Sequence, residues 1–312
     1  MTTSSPPVPR RSAARPTAPR RRRSTAWYPY ALISPAVALV VVFLLYPVLS
    51  VFYYSLQNYN VTLPIYNGFA GLDNFVAISQ DPLFWRSIWF TVRWVVVEVG
   101  LQFVFGLALA LLINQSFRGR AIVRALVFSP WAVAGILTTT IWLLIYNPST
   151  GVGRYLADLG IGSYGTSLLA NEDTTFWAVV LAELWKGAPF FAILILADLQ
   201  SVNLDLYESA EVDGAGRIRK FVSITWPHIR QAVILATLLR AIWEFNNVDL
   251  LYTLTGGGPA SSTTTLPLYV AQTAIHDRDF GYGSALTVVA FVILAVFTVA
   301  YLRVSKFGRD QS

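Results

Sequence analysis

Five ionisable residues stand inside or at the edge of long apolar stretches: Glu183 and Lys186 in one, Arg240, Glu244 and Asp249 in another. A charge in hydrocarbon is costly unless it is paired or hydrated, so such groups face a bundle interior or a water-filled cavity. Trp185 and Trp243 fall at the same level, and Asn246 and Asn247 lie just beyond. Carboxylates, amides and a guanidinium make directional bonds to vicinal hydroxyls, and indole faces cover the apolar C–H faces of a sugar ring. The set Glu183, Trp185, Lys186, Arg240, Trp243, Glu244, Asn246, Asn247 and Asp249 is therefore a candidate path for a polyhydroxylated solute. A structural reading competes with it. Glu183 with Lys186 and Arg240 with Glu244 have i,i+3 and i,i+4 spacing and could simply neutralise one another. Glu98 and Gln102 share a face of a third apolar stretch, where they extend the same lattice or satisfy each other.

A second set is polar and interrupts the apolar chain. It reads Glu208-Ser209-Ala210-Glu211-Val212-Asp213-Gly214-Ala215, followed by Phe221, Ile224 and Pro227. Asp205 precedes Glu208 by three residues, a spacing like a capping box, which predicts the start of a short helix. Gly214 allows a turn, and Ile218, Phe221, Val222 and Thr225 at helical spacing predict a second helix. A helix-turn-helix lying along a membrane surface results; the blander alternative is a solvated loop with incidental charges.

The elements that position both sets are membrane spans. With 55% hydrophobic and 13% charged residues and a mean hydropathy of +0.53 over 312 residues, the chain reads as an integral membrane protein. A helix crosses the hydrocarbon in roughly 20 residues at about 1.5 Å each, because its backbone polar groups must be satisfied internally. Six segments suffice, at about 29 to 55, 87 to 113, 122 to 146, 174 to 198, 229 to 254 and 283 to 303. Gly256-Gly257-Gly258-Pro259 stops the fifth. The expected fold is thus all-α, with six transmembrane helices in residues 26–312 and a cytosolic loop at about 203–227 between spans four and five.

Seventeen of the 23 Lys and Arg residues fall on one side of this arrangement: seven in the N-terminal tail, then Arg118, Arg120, Arg124, Arg217, Arg219, Lys220, Arg230, Arg303, Lys306 and Arg309. The positive-inside rule makes that side, with both termini, cytosolic. Residues 1–25, rich in Pro, Ser, Thr and Arg, read as a disordered basic tail that anchors topology against anionic lipid. The apolar run after it is longer than a signal-peptide core and is followed by no A-x-A cleavage pattern, so it is expected to be retained as the first span. Trp27, Tyr28, Trp85, Trp89 and Trp226 near span ends read as interfacial anchors.

The chain has no Cys, and its two histidines, His228 and His276, are far apart, so no metal or thiolate site is expected. No G-x-x-x-x-G-K-[ST] phosphate loop occurs, so any ATP that drives the molecule binds another chain. No nucleophile is paired with a base, and no catalytic residue is assigned.

The polar run resembles the E-A-A-x-x-D-G-A signature, followed by a Phe and a Pro, of permease subunits of binding-protein-dependent ABC importers. Further stretches are similar to the carbohydrate branch of that family, the maltose, glycerol-phosphate and oligosaccharide permeases. They are Gly71-Leu72-Asp73-Asn74-Phe75 with Asp81-Pro82-Leu83-Phe84-Trp85, Trp185 with Pro189-Phe190, and Phe245-Asn246-Asn247-Val248-Asp249 leading to Leu254-Thr255-Gly256-Gly257-Gly258-Pro259. The likeness covers roughly 45 to 300.

The resemblance implies a permease subunit of a sugar or polyol importer in a bacterial plasma membrane. It implies as partners a second permease, two ATP-binding subunits that hold ATP and Mg, and an extracytoplasmic binding protein docking near 56–86 and 255–282. It also implies that the 203–227 loop is a coupling helix set in a groove of the ATP-binding subunit. There Glu208 would pair with a basic residue, Ala210 and Ala215 would permit close approach, Gly214 would make the turn, and Asp213 would stabilise the turn or cap the second helix. Ser209 departs from the usual second Ala, and Val202-Asn203 from a common Ile-Pro. A proton- or sodium-coupled secondary carrier is the alternative from another class, since it too would want intramembrane Glu, Lys and Arg.

Overall fold

The computed structural model describes residues 27–160, 165 and 167–305; the basic tail at 1–25, with Lys306 and Arg309, lies outside the described residues. The chain divides into two compact units, Met1–Val48 and Leu49–Ser312. In the first, α1 (Tyr28–Val40) leads through a π turn at Val41–Leu45 towards α2 (Tyr46–Ser55). Tyr30–Ser55 is one of four helical stretches long and apolar enough to cross a membrane.

In the second unit a two-residue hairpin, β1 (Gln57–Asn58) with antiparallel β2 (Gly68–Phe69), precedes α3 (Asp73–Gln80) and α4 (Pro82–Asn114). α4 runs for 33 residues, about 50 Å. Its start follows from local chemistry, since Pro82 tolerates the first turn and Asp81 accepts from the N–H of Leu83 at 2.8 Å. The other two long spans are α8 (Glu172–Leu199) and α14 (Phe280–Val304), capped by the side chains of Asn171 and Asp279. α4 and α8 pack closely. A Cβ at Gly106 would come within 2.4 Å of Phe191 Cβ and 2.8 Å of the Ala188 carbonyl oxygen, so only glycine admits the approach.

Two expected spans are interrupted. The segment 122–146 is not one rod: α5 (Arg120–Ala132) and α6 (Gly135–Ile145) meet at 97°. Pro130 has no N–H for the Leu126 carbonyl, and Val133 and Ala134 then turn extended, with ψ of 132° and 141°. After a short α7 (Val152–Asp158), α8, and the loop helices α9 (Leu204–Val212) and α10 (Arg217–Lys220), the segment 229–254 breaks as well. α11 (Trp226–Phe245) ends at Asn246 and Asn247, before α12 (Val248–Thr255). Asn246 turns its amide back onto the Ile242 carbonyl at 2.9 Å, the local bonding by which Asn competes with helix. α12 does stop at the glycines, with Gly256 left-handed at φ +59°. The described residues thus hold four unbroken apolar spans, or five if the bent pair is counted as one. α11, with Arg230, Arg240 and Glu244, is less apolar than these.

At the end of the bundle remote from the 203–227 loop, one carboxylate fastens three helices. Asp81 Oδ2 accepts from the Tyr269 hydroxyl of α13 (Leu266–Ala271) at 2.6 Å and from the Tyr282 hydroxyl of α14 at 3.0 Å. Partial burial pushes the Asp81 carboxyl up. The bonds from Tyr269, the Leu83 N–H and Tyr282 more than offset this and hold it below 3.8. A depressed carboxyl stabilises above its unfolded value and loses that stabilisation as pH falls through the folded one. Thermal unfolding in detergent is therefore expected to show an acid-sensitive component confined to the lower carboxylate range and absent in Asp81→Asn. Tyr269→Phe should cost about 1 kcal/mol. An Asp81→Asn protein as acid-sensitive in that range as the parent would disprove the clasp.

Candidate functional site

α4, α8 and α11 bring five polar side chains into one buried network. Glu98, Gln102, Glu183, Arg240 and Glu244 are each at most 6% exposed. Gln102 on α4 is the bridge: its Nε2 donates to Glu98 Oε2 at 3.0 Å and to Glu244 Oε1 at 2.9 Å, and its Oε1 accepts from Arg240 Nε at 2.8 Å. The Arg240 guanidinium also donates to Glu183 Oε1 at 3.1 Å and forms an ion pair with Glu244. Trp94 Nε1 bonds the Glu244 carbonyl at 3.2 Å, tying α4 to the backbone of α11. Gly187 makes the room. A Cβ there would lie 2.4 Å from the Gln102 amide and 2.5 Å from an Arg240 nitrogen.

The spacing Arg240–Glu244 is thus a true i,i+4 pair, whereas Glu183 bonds across helices to Arg240. Lys186 makes no ion pair within 4.0 Å among the described residues. It reaches the break in the third span, its Nζ 3.2 Å from where a Gly135 Cβ would stand. Glu98 and Gln102 form the closed side of the network; its other side opens on a cavity of about 380 Å³. Eight of the nine residues selected from sequence line that cavity: Glu183, Lys186, Arg240, Trp243, Glu244, Asn246, Asn247 and Asp249. Trp185 does not; it stands edge-on to Trp142 at 6.2 Å. Trp131, absent from the sequence selection, does. Its signal was Pro130, which bends the helix and turns the neighbouring indole towards the cavity. Asn247 donates to Glu244 Oε2 at 3.2 Å, so the second helix break borders the network directly. Hydroxyl-binding amides and carboxylates with two indoles at the wall suit a small polar solute.

The 203–227 loop is a helical hairpin. Asn203, not Asp205, caps α9, its Oδ1 accepting from the Asp205 N–H at 3.0 Å; Asn203 is the last residue before the helix, whereas Asp205 already lies in its first turn. Asp213 closes the helix. Gly214 is left-handed at φ +73°, and the Gly214 and Ala215 N–H groups return to the Glu211 and Ala210 carbonyls at 3.0 and 2.8 Å, a Schellman turn. Asp213 does not cap α10, whose N-cap is Gly216 and which has no side-chain cap bond. Lys220 Nζ instead spans the hairpin to Glu211 at 2.5 Å, and this bond and charge hold the Glu211 carboxyl below its usual range.

Glu208, Ser209 and Asp213 are exposed, and Ala210 and Ala215 half-buried. The expected apolar face of the second helix is only partly covered: Thr225 is buried, Phe221 half-buried against Trp226, but Ile218 and Val222 are 82% and 57% exposed. α10 continues through a π turn at Phe221–Thr225 into α11, with Pro227 in the first turn of the latter. Tyr207 bonds Thr225 at 2.9 Å and Ser201 bonds His228 at 2.8 Å, joining the hairpin to that helix.

Residues 102–307 match the family model described as "Binding-protein-dependent transport system inner membrane component". The trehalose/maltose transport system permease protein MalF of Thermococcus litoralis is 38% identical over 90% of this chain and 94% of its own length. The sulfoquinovosyl glycerol transport system permease protein SmoG of Agrobacterium fabrum is 35% identical, with 88% and 89% covered. Among solved structures, a bacterial ABC transporter that imports the acidic polysaccharide alginate superposes with a TM-score of 0.79 at 23% identity, covering 91% of this chain and 96% of that one.

The network makes a testable demand. Arg240→Leu strands Glu183 and Glu244 as buried, uncompensated carboxylates, a loss of roughly 3 to 5 kcal/mol. Membrane accumulation of that variant should fall sharply, and Arg240→Leu combined with Glu183→Gln and Glu244→Gln should recover much of it. No recovery in the triple variant would show that the charges are not what the site balances.

Proposed function

Because the chain belongs to the family of binding-protein-dependent transport system inner membrane components, we propose that it is the permease subunit of an ATP-driven sugar importer. The solute, delivered by an extracytoplasmic binding protein, passes the cavity between α8, α11 and α12. The relatives are named as transport system permease proteins for saccharides or their derivatives, and the cavity's mix of indoles, amides and carboxylates suits such solutes. In this reading the chain crosses the membrane six times, the bent pair α5–α6 and α11 joining the four unbroken spans. Both termini and the 203–227 hairpin are cytosolic, and the basic tail holds that topology against anionic lipid. ATP and Mg belong to two ATP-binding subunits, and a second permease completes the membrane unit. The binding protein docks on the loops at 56–86 and 255–282.

One observation carries the coupling role. The hairpin's second helix is the start of α11, so displacement at Gly216 acts on Arg240, 24 residues and about 35 Å away, through one helix interrupted only by a π turn. Glu208, exposed on α9, meets the basic residue of the ATP-binding subunit, with Ser209, Ala210 and Ala215 keeping the contact shallow. Gly214, with Asp213 before it, holds the hairpin closed, and Phe221 and Pro227 seat it on the span. An ion-coupled carrier would leave this exposed hairpin without a task.

In the assembled complex, Glu208→Lys is expected to leave the subunit inserted while abolishing uptake and solute-stimulated ATP hydrolysis. Gly214→Val should weaken both, because a β-branched side chain costs about 1 to 2 kcal/mol in the left-handed region. Uptake should be stopped by vanadate and survive collapse of ion gradients by an ionophore. Parental hydrolysis in the Glu208→Lys complex would refute the coupling assignment, and the opposite inhibitor pattern would favour the carrier.

A further inference from the structure

The cavity's charges carry the reading further, to the class of solute. Three carboxylates face it, on Glu183, Glu244 and Asp249, against two cations, Lys186 and Arg240. The Arg240 guanidinium is already engaged by Gln102, Glu183 and Glu244, so a solute anion would have to displace protein carboxylates to reach it. Of the two cations, Lys186 is the one without an ion pair within 4.0 Å in the described residues, and it shares the wall with all three carboxylates.

Asp249 has a second role in the layout. It is exposed, and it also lines a neighbouring cavity of about 350 Å³ with Tyr252, Gln272 and His276. A solute moving between the two cavities passes this carboxylate. What the wall leaves open for recognition is the Asn246 side-chain carbonyl, the exposed Asp249 carboxylate as a hydroxyl acceptor, and the indoles of Trp131 and Trp243, each 47% exposed, as platforms for a pyranose face.

Resting on the importer reading above, we propose that this chain's cavity selects saccharides without a fixed negative charge and rejects those bearing a phosphate, sulfonate or uronate. Like charges brought together in a partly desolvated site repel strongly enough for discrimination of about tenfold or more.

The test uses the whole importer in liposomes, arrested with vanadate, and two diazirine photoprobes of one shape: an alkyl glucoside and the matching glucuronide. After photolysis, peptide mass spectrometry reads the labelling of residues 183–186 and 240–249. The glucoside is expected to label these segments at about ten times the glucuronide yield or more, and Asp249→Asn should narrow that ratio. Equal or greater labelling by the glucuronide, labelling by neither probe, or a ratio untouched by Asp249→Asn would overturn the proposal. The importer reading fails separately, by the absence of ATP-driven saccharide uptake in the same liposomes before arrest.

Discussion

A guanidinium buried between helices must find its counter-charges there, and the arrangement of the second unit follows from how Arg240 does so. Its partners come from three helices: Gln102 from α4, Glu183 from α8 and Glu244 from the next turn of α11. The desolvation of each charge is severe enough that no member can be left alone, so the relative rotation of the three helices is fixed by where these heads meet. The close approach of α8 that Gly187 permits, and the anchoring of Trp94 on the Glu244 carbonyl, serve the same meeting point. The cavity is its open flank. Part of the set selected for solute contact therefore also holds the helices in place, and the structural and functional readings of Glu183, Arg240 and Glu244 are compatible.

Much of this was legible in the chain. The unbroken spans declare themselves because hydrocarbon imposes a length and a composition on anything that crosses it. The ends found from sequence, about 87 to 113, 174 to 198 and 283 to 303, fall within a few residues of Pro82–Asn114, Glu172–Leu199 and Phe280–Val304. The charges were legible for the converse reason, since an ion amid Leu and Val has to be somewhere special. The hairpin turn was readable from Gly214, a residue free to take the left-handed conformation found there.

What sequence hid is geometry that depends on non-local balance. The bend after Pro130 and the break at Asn246 and Asn247 each cost backbone bonds, and whether a helix accepts such a cost depends on what its neighbours offer in return. Hydropathy registers neither. Consequently Trp131, brought to the wall by the bend, was missed, and Trp185, at the right depth but on the wrong azimuth, was included. Asn203 capping α9 instead of Asp205 is a smaller instance: both are good acceptors, and a shift of two residues decides between them.

The glycine at 106 has a consequence for motion. Because a single added carbon there would strike both Phe191 and the Ala188 carbonyl, α4 and α8 touch almost backbone to backbone at that point. Such a contact resists sliding, since displacement in either direction drives main chain against main chain. The pair then behaves as a fixed frame. The break at the two asparagines lies beyond that frame, and there α12 changes direction relative to α11.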